Sequence, residues 1–206
     1  MITVPELAAE ALGSFLTTHM SREFGSTDAN LIEVIPSAAR LALERIGNSD
    51  ALYHNVEHTM LVTLVGYDIM KGRSLLTSTS AIDYAHLIVA CLFHDIGFVR
   101  GILTGDGEDG YVIDAEGGKV KLLRGSSDAE LMPYHVERSR LFVMDRIGKS
   151  RFLDAARISR AIEFTRFPIP ADTDGQDEEE GSLARAANLI GQLGDPHYLQ
   201  KANVVL

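Results

Sequence analysis

The run Leu87-Ile88-Val89-Ala90-Cys91-Leu92-Phe93 passes without interruption into His94-Asp95-Ile96-Gly97, and that junction constrains the chain more than any other feature. A helical run that is apolar on every side belongs in a core. If it closes on an imidazole and a carboxylate, those groups go in with it, at a cost in desolvation unless they find partners. Adjacent helical residues point about 100° apart, but a helix end relaxes enough for His94 and Asp95 to turn toward one point. A metal ion at that point removes the difficulty. A lone His-Asp doublet is often no more than a C-terminal helix cap, with the imidazole on the last carbonyls.

A second feature gives the doublet weight. In Tyr53-His54-Asn55-Val56-Glu57-His58 the two histidines are four residues apart, which places them on one face of a helix predicted from Tyr53 or Asn55 to about Met70. Two imidazoles on one face can chelate a metal, or one can bind metal while the other donates a proton. Glu57 directly precedes His58, so the HExxH pattern of zinc proteases is absent. An isolated HxxxH is common by chance. Its occurrence on the helix before His94-Asp95 is not so easily dismissed.

Helical periodicity dominates elsewhere, and 206 residues suit one domain. The N-terminal helices are expected within 1–48: one from about Pro5 to Phe24, a second region capped by Thr27 or Asp28, and a new cap at Ser37 after Pro36. A helical core is expected over 52–198. It comprises the Tyr53/Asn55–Met70 helix and one from about Ser80 to Phe93 with Gly97 as its C-cap. Further helices are expected over Asp128–Ile147, Arg151–Phe164 and Ser182–Leu193. An insertion at 101–124 breaks the pattern. The stretch from Arg100 to Ser127 holds seven glycines and two strand-like runs, Tyr111-Val112-Ile113 and Lys119-Val120-Lys121-Leu122. They predict a hairpin turning at Glu116-Gly117-Gly118, beside the pocket mouth as a lid or a partner contact. Asp172 to Glu180 reads as a solvated acidic loop. The fold class expected is therefore all-α, a helical bundle with a small β-hairpin insertion.

A formal net charge of −10 argues against a broad grip on polymeric nucleic acid or an anionic membrane. A small phosphorylated molecule can still bind through a metal or a few local cations. Cys91 is the only cysteine and lies in the apolar run, so it reads as an inert, buried thiol in a protein without internal disulfides. With no basic-then-apolar N-terminus and no uninterrupted apolar run of transmembrane length, the expected location is the cytoplasm. A homo-oligomer remains compatible with the sequence.

YHNVEHT, an apolar helix and CLFHDIG, in that order, resemble the HD superfamily of metal-dependent phosphohydrolases. YHNxxHT in particular is similar to the branch that includes cyclic-nucleotide phosphodiesterases. The resemblance covers about Leu52 to Tyr198 and implies an HD-type helical bundle. It implies hydrolysis of a small phosphate ester, which could be a nucleotide, by a metal-activated water. By it, His58, His94 and Asp95 match metal ligands, and His54 matches the group that protonates the leaving oxygen. The mixed nitrogen and oxygen set suits Mn, Fe, Co, Ni or Zn, with Mg open at a second site. The final ligand of the family is an aspartate in a context like AADLIG. Here that place is taken by Asn188 in Ala186-Ala187-Asn188-Leu189-Ile190-Gly191, whose amide oxygen can coordinate but carries no charge. The alternative is a catalytically weakened module for ligand binding or regulation. Asp195, seven residues on, could replace Asn188 only if the helix ended early. His135 resembles an extra ligand of two-metal members, or is a partly exposed first residue of a helix. Arg166 could fix a substrate phosphate, or pair with Glu163 or the acidic loop. Glu57 could orient a metal-bound histidine or face solvent.

Overall fold

Thr3 opens the first helix with a reciprocal cap. Its hydroxyl accepts from the Glu6 amide, while the Glu6 carboxylate accepts from the Thr3 amide at 2.6 Å. In this computed structural model, which describes residues 2–25, 29–168 and 179–202, the chain forms α1 (Val4–Phe24), α2 (Ala29–Ile46), α3 (Val56–Ser74), α4 (Ala81–Phe93), α5 (His135–Ile147), α6 (Ala155–Glu163), α7 (Glu179–Gly194) and the short α8 (Tyr198–Ala202), with one two-stranded antiparallel sheet, β1 (Tyr111–Val112) and β2 (Lys119–Val120). The fold is all-α with a small hairpin.

The apolar run sits where its composition demands. In α4 every residue from Tyr84 to Phe93 is buried, and α2, α3, α6 and α7 pack around it. The stretch Ala81–Phe98 is long and apolar enough to cross a membrane by length and composition alone, yet 89% of it is buried within the protein. It is a core helix. Ser80 and Asp83 start it with a second reciprocal cap.

Several boundaries differ from expectation, each for a local reason. Pro36 lies inside α2 and does not separate two helices. It removes one backbone donor, but Leu31 and Ile35 before it and Ala39 and Leu43 after it are buried on one stripe, and that burial carries the helix through. Ser37 bonds back to the Glu33 carbonyl at 3.0 Å and does not cap. The expected caps Thr27 and Asp28 lie outside the described residues. Pro133 splits the segment after the hairpin into a 3₁₀ turn, Asp128–Leu131, and α5. Asp154, not Arg151, starts α6, accepting from the Arg157 amide at 3.0 Å. Glu179 and Glu180 belong to the first turn of α7, where acidic groups suit the helix dipole and ion pairs with Arg73 and Arg157 hold them. The rest of the expected acidic loop lies outside the described residues.

The hairpin turns near the predicted glycines, with the Ile113 amide donating to the Gly118 carbonyl at 2.9 Å and register Tyr111↔Val120. It is fastened to α5 by Arg138, which is fully buried. Arg138 donates to the carbonyls of Gly97 at 2.7 Å and Val99 at 2.9 Å, to that of Val112, and to the Asp106 carboxylate at 2.9 Å.

Candidate metal centre

Asn55 sets the geometry of the first two histidines. Its side chain accepts from the His58 amide at 3.1 Å and donates to the Leu52 carbonyl at 2.7 Å, so α3 begins at Val56. His54 therefore precedes the helix and does not share a helical face with His58, contrary to the i, i+4 expectation. The extended backbone at the cap nevertheless brings the two rings to 5.5 Å, nearly perpendicular.

His94 and Asp95 converge through a change of backbone at the end of α4. His94 keeps helical angles, whereas Asp95 has φ −108° and ψ 4°, in the sparsely used bridge region where many active-site residues sit. Gly97 is not the helix cap. It lies in a 3₁₀ turn, Ile96–Phe98, and a Cβ there would stand 2.0 Å from the His135 carbonyl. Its missing side chain is what lets the first residue of α5 approach the doublet.

Four imidazoles surround the Asp95 carboxylate. His54 Nδ1 lies 2.8 Å from Oδ2, His94 Nε2 3.1 Å and His58 Nε2 3.3 Å, while His135 Nε2 is 3.7 Å from Oδ1. His58, His94 and Asp95 are buried. His54, His58 and Asp95 each offer an atom within 4.8 Å of the others, a set able to hold a metal ion. His94 joins from the far side, its Nε2 3.3 Å from that of His58. Asn188 reaches the same place from α7, near enough to His94 for its amide to help raise that imidazole. The helix can come this close because a Cβ at Gly191 would lie 2.9 Å from Val62 of α3.

Hydrogen bonding at the outer nitrogens decides what faces inward. His94 Nδ1 is 2.8 Å from the Cys91 carbonyl, and His135 Nδ1 is 2.6 Å from that of Met132. A carbonyl only accepts, so both rings carry their proton on Nδ1 when neutral and turn a bare Nε2 inward. His58 then has no good arrangement. Its Nδ1 is buried without a partner among the described residues. A proton placed there leaves a buried donor unpaired and sets two nitrogen lone pairs against each other; a proton on Nε2 leaves a buried acceptor unpaired. A cation between the Nε2 atoms and Asp95 removes the opposition of lone pairs and leaves only the His58 Nδ1–H unpaired, and the donor set of imidazoles plus one carboxylate suits a transition metal or zinc.

The charges follow from burial and pairing. Desolvation raises the Asp95 carboxyl, but His94 and His54 overcome it and hold the group well below the usual carboxylate range. Burial depresses His58, Asp95 only partly opposing it, and takes His135 down to about 4. Burial also opposes the protonated form of His94, yet Asp95, the Cys91 carbonyl and Asn188 together raise it. Phe98, fully buried, stacks between His54 and His135 at centroid separations of 4.2 and 4.4 Å, fixing both ring planes.

The centre opens into a cavity of about 410 Å³ walled by Tyr53, Met132, Arg166, Phe167, Arg185 and Leu189 among others, a size suited to a small molecule. No residue of 101–124 lines it. The expectation that the hairpin sits at its mouth is thus corrected; Arg138 holds the hairpin against α5 instead. Arg166 lines the cavity with two of its donors engaged by Glu163, at 2.5 and 2.8 Å, which is the pairing alternative. Asp195 is buried away from the centre, bound to the His197 amide at 2.8 Å and to Lys201 at 2.7 Å, so it does not replace Asn188. Glu57 is exposed and pairs with Lys201 at 2.8 Å. Arg185 and Phe98 escaped the sequence reading. The first lies three residues before Asn188 and the second three after Asp95, and only those offsets could have pointed to them.

Fold and centre together define an all-α protein with a buried His/Asp cluster competent to hold a metal. The Npun_R2479-like family model matches residues 2–206, and the chain belongs to that family. No curated protein and no solved structure matches it.

Proposed function

We propose that the protein is a metal-dependent phosphohydrolase acting on a small phosphate ester. The observation that carries this reading is the convergence of three imidazole nitrogens on one buried carboxylate oxygen, Asp95 Oδ2, within 3.3 Å. The resemblance of YHNVEHT…CLFHDIG to the HD superfamily supports it, since the residues brought together are the ones that resemblance selects.

His58 Nε2, His94 Nε2 and Asp95 would hold a divalent ion (Mn, Fe, Co, Ni or Zn), with the Asn188 amide beside His94 as a neutral fourth donor. His135 would serve a second ion, for which Mg is also suitable. A bound ion of this kind supplies an acidified water and offsets charge on phosphoryl oxygens. The protein's own groups do the rest. Asp95, held ionised, fixes the His54 ring through Nδ1 at 2.8 Å, and His54 delivers a proton to the departing oxygen. Phe98 keeps that ring in plane. Tyr53, Met132 and Leu189 give the cavity an apolar wall beside the centre. The ligand is a small phosphorylated molecule, with nucleotides included by cavity size, and the protein's net charge of −10 disfavours a polymeric nucleic acid.

Asn188 favours a second reading, a ligand-binding or regulatory module with little turnover, because a neutral amide stands on His94. Elemental analysis of purified protein, followed by a phosphoester panel with and without each divalent metal, separates the two. Bound metal with hydrolysis that is lost in His94→Ala supports the enzyme. Bound metal and competitive phosphate binding without turnover supports the module. Protein that takes up no divalent metal ends the enzyme reading.

A further inference from the structure

The cavity beside the metal centre contains two arginines in opposite states. Arg166 is neutralised by Glu163 at 2.8 Å or less, with Glu137 at 3.8 Å. Arg185, on α7, has no carboxylate within 4.0 Å among the described residues. Its Nε donates to the Phe164 carbonyl at 2.8 Å, and its guanidinium carbon lies 5.0 Å from the Phe164 ring centroid. Those two contacts hold the group in one orientation. Its Nη2 is nevertheless buried and, among the described residues, without a hydrogen-bond partner.

A buried, unpaired guanidinium donor is costly unless something arrives to accept from it. Arg185 lines the same cavity as His54, His58 and Asp95. It precedes Asn188 by three residues on α7, so the two side chains leave neighbouring points of one face, about 5–6 Å apart at Cβ. Asn188 in turn lies near enough to His94 to help raise its imidazole. The cation is therefore fixed one helical turn from the centre, in a protein whose overall charge repels anions. A planar fork already immobilised by a carbonyl and an aromatic ring loses little freedom when it takes up two oxygens of a phosphate.

We propose that Arg185 is the anion anchor of this cavity, so that ligands of the protein are recognised through a phosphate group seated on its guanidinium, one turn of α7 from the His58–Asp95 group. The choice of phosphate rests on the phosphohydrolase reading; the presence of an anion subsite does not.

Calorimetric titration of inorganic phosphate into chelator-treated wild type, Arg185→Gln and Arg185→Lys tests this, with the melting temperature and Mn²⁺ affinity of each measured alongside. Wild type should bind phosphate saturably. Arg185→Gln should weaken it by about tenfold or more and Arg185→Lys by less, with Mn²⁺ affinity unchanged in both. Equal phosphate affinity in wild type and Arg185→Gln overturns the proposal, as does a wild type that shows no saturable binding. If Arg185→Gln does not fold, Arg185→Lys decides, and a wild-type affinity in that variant overturns the proposal. Arg185-dependent phosphate binding in a protein that takes up no Mn²⁺ leaves the anchor standing and removes the metal reading alone.

Discussion

Asn188 and Gly97 act on the centre in opposite ways, one through the atoms it presents and the other through atoms it lacks. Asn188 meets His94 with an amide, so Asn188→Asp should place a carboxylate beside the cluster and tighten divalent-metal binding by about tenfold or more. Metal titration of the variant reads this directly, and the gain should vanish in a His94→Ala background, where one imidazole is already missing. A lower melting temperature without any gain in affinity would show that the amide serves packing alone. Gly97→Ala should do the reverse. Its new Cβ would fall 2.0 Å from the His135 carbonyl and 2.8 Å from Arg138 Cβ, so α5 must retreat and take His135 with it. The expected cost is about 1–3 kcal/mol or more, seen in denaturant unfolding, accompanied by weaker metal uptake. An alanine variant of wild-type stability would mean that α5 shifts freely at this contact.

Between elements, a buried neutral histidine joins α4 to α6. His86 Nδ1 is 2.6 Å from the Ile82 carbonyl, and its Nε2 accepts from the amide of Asp154, the residue that caps α6, at 2.8 Å. Desolvation, strengthened by Arg157, lowers its pKa from the ordinary 6.5 despite the Ile82 carbonyl, Asp154 and Asp83. The folded state therefore binds this proton less readily than the unfolded chain does. The stability contributed is present above about pH 6.5 and is lost as pH falls below that value toward the depressed folded pKa. His58 and His135 act in the same direction, while His94, raised, acts in the opposite one. His86→Leu isolates the one group. At pH 7.5 it should cost about 1–3 kcal/mol by orphaning the Asp154 amide, and the gap from wild type should narrow by pH 5. A gap that stays constant with pH would exclude proton linkage at His86. The sequence announced the elements of this bundle well where a single helix carried the signal. The apolar run made α4 a core helix, and Ser80 marked its start. It failed where the deciding partner was remote. Pro36 looked like a break until its flanks were buried, and His54 looked helical because the capping bond from Asn55 to the His58 amide is invisible in spacing. The set His54, His58, His94 and Asp95 was legible as residue types. Phe98 between two imidazoles and Arg185 over Phe164 depend on packing that no short motif records.

At the scale of the whole molecule, the hairpin is the part whose role the structure changes most. Glycine content and position suggested a lid or a partner contact at the pocket mouth. Instead Arg138 and Asp106 form an ion pair at 2.9 Å with both side chains fully buried, and Arg138 also donates to carbonyls on either side of Asp106 in sequence, those of Gly97, Val99 and Val112. That guanidinium ties the turn after Asp95, the hairpin and α5 into one body, and α5 carries His135. A buried pair of this kind adds little net stability over an apolar substitute, but removing one partner strands the other charge, at a cost of about 3–5 kcal/mol. Replacing residues 104–121 by a short Gly/Ser linker removes Asp106 and the Val112 carbonyl together, so it should destabilise the protein by at least that amount. Asp106→Ala should reproduce most of the loss by itself. The double variant Asp106→Ala/Arg138→Met, which takes away the stranded charge and refills its volume, should recover a substantial part. Urea unfolding of the three proteins and the wild type gives each difference. Should the linker variant unfold at the wild-type midpoint with altered selectivity among phosphoesters, the hairpin would be a specificity device after all. The recovery in the double variant is the sharper test, because general damage to the hairpin would not be repaired by a second substitution on α5.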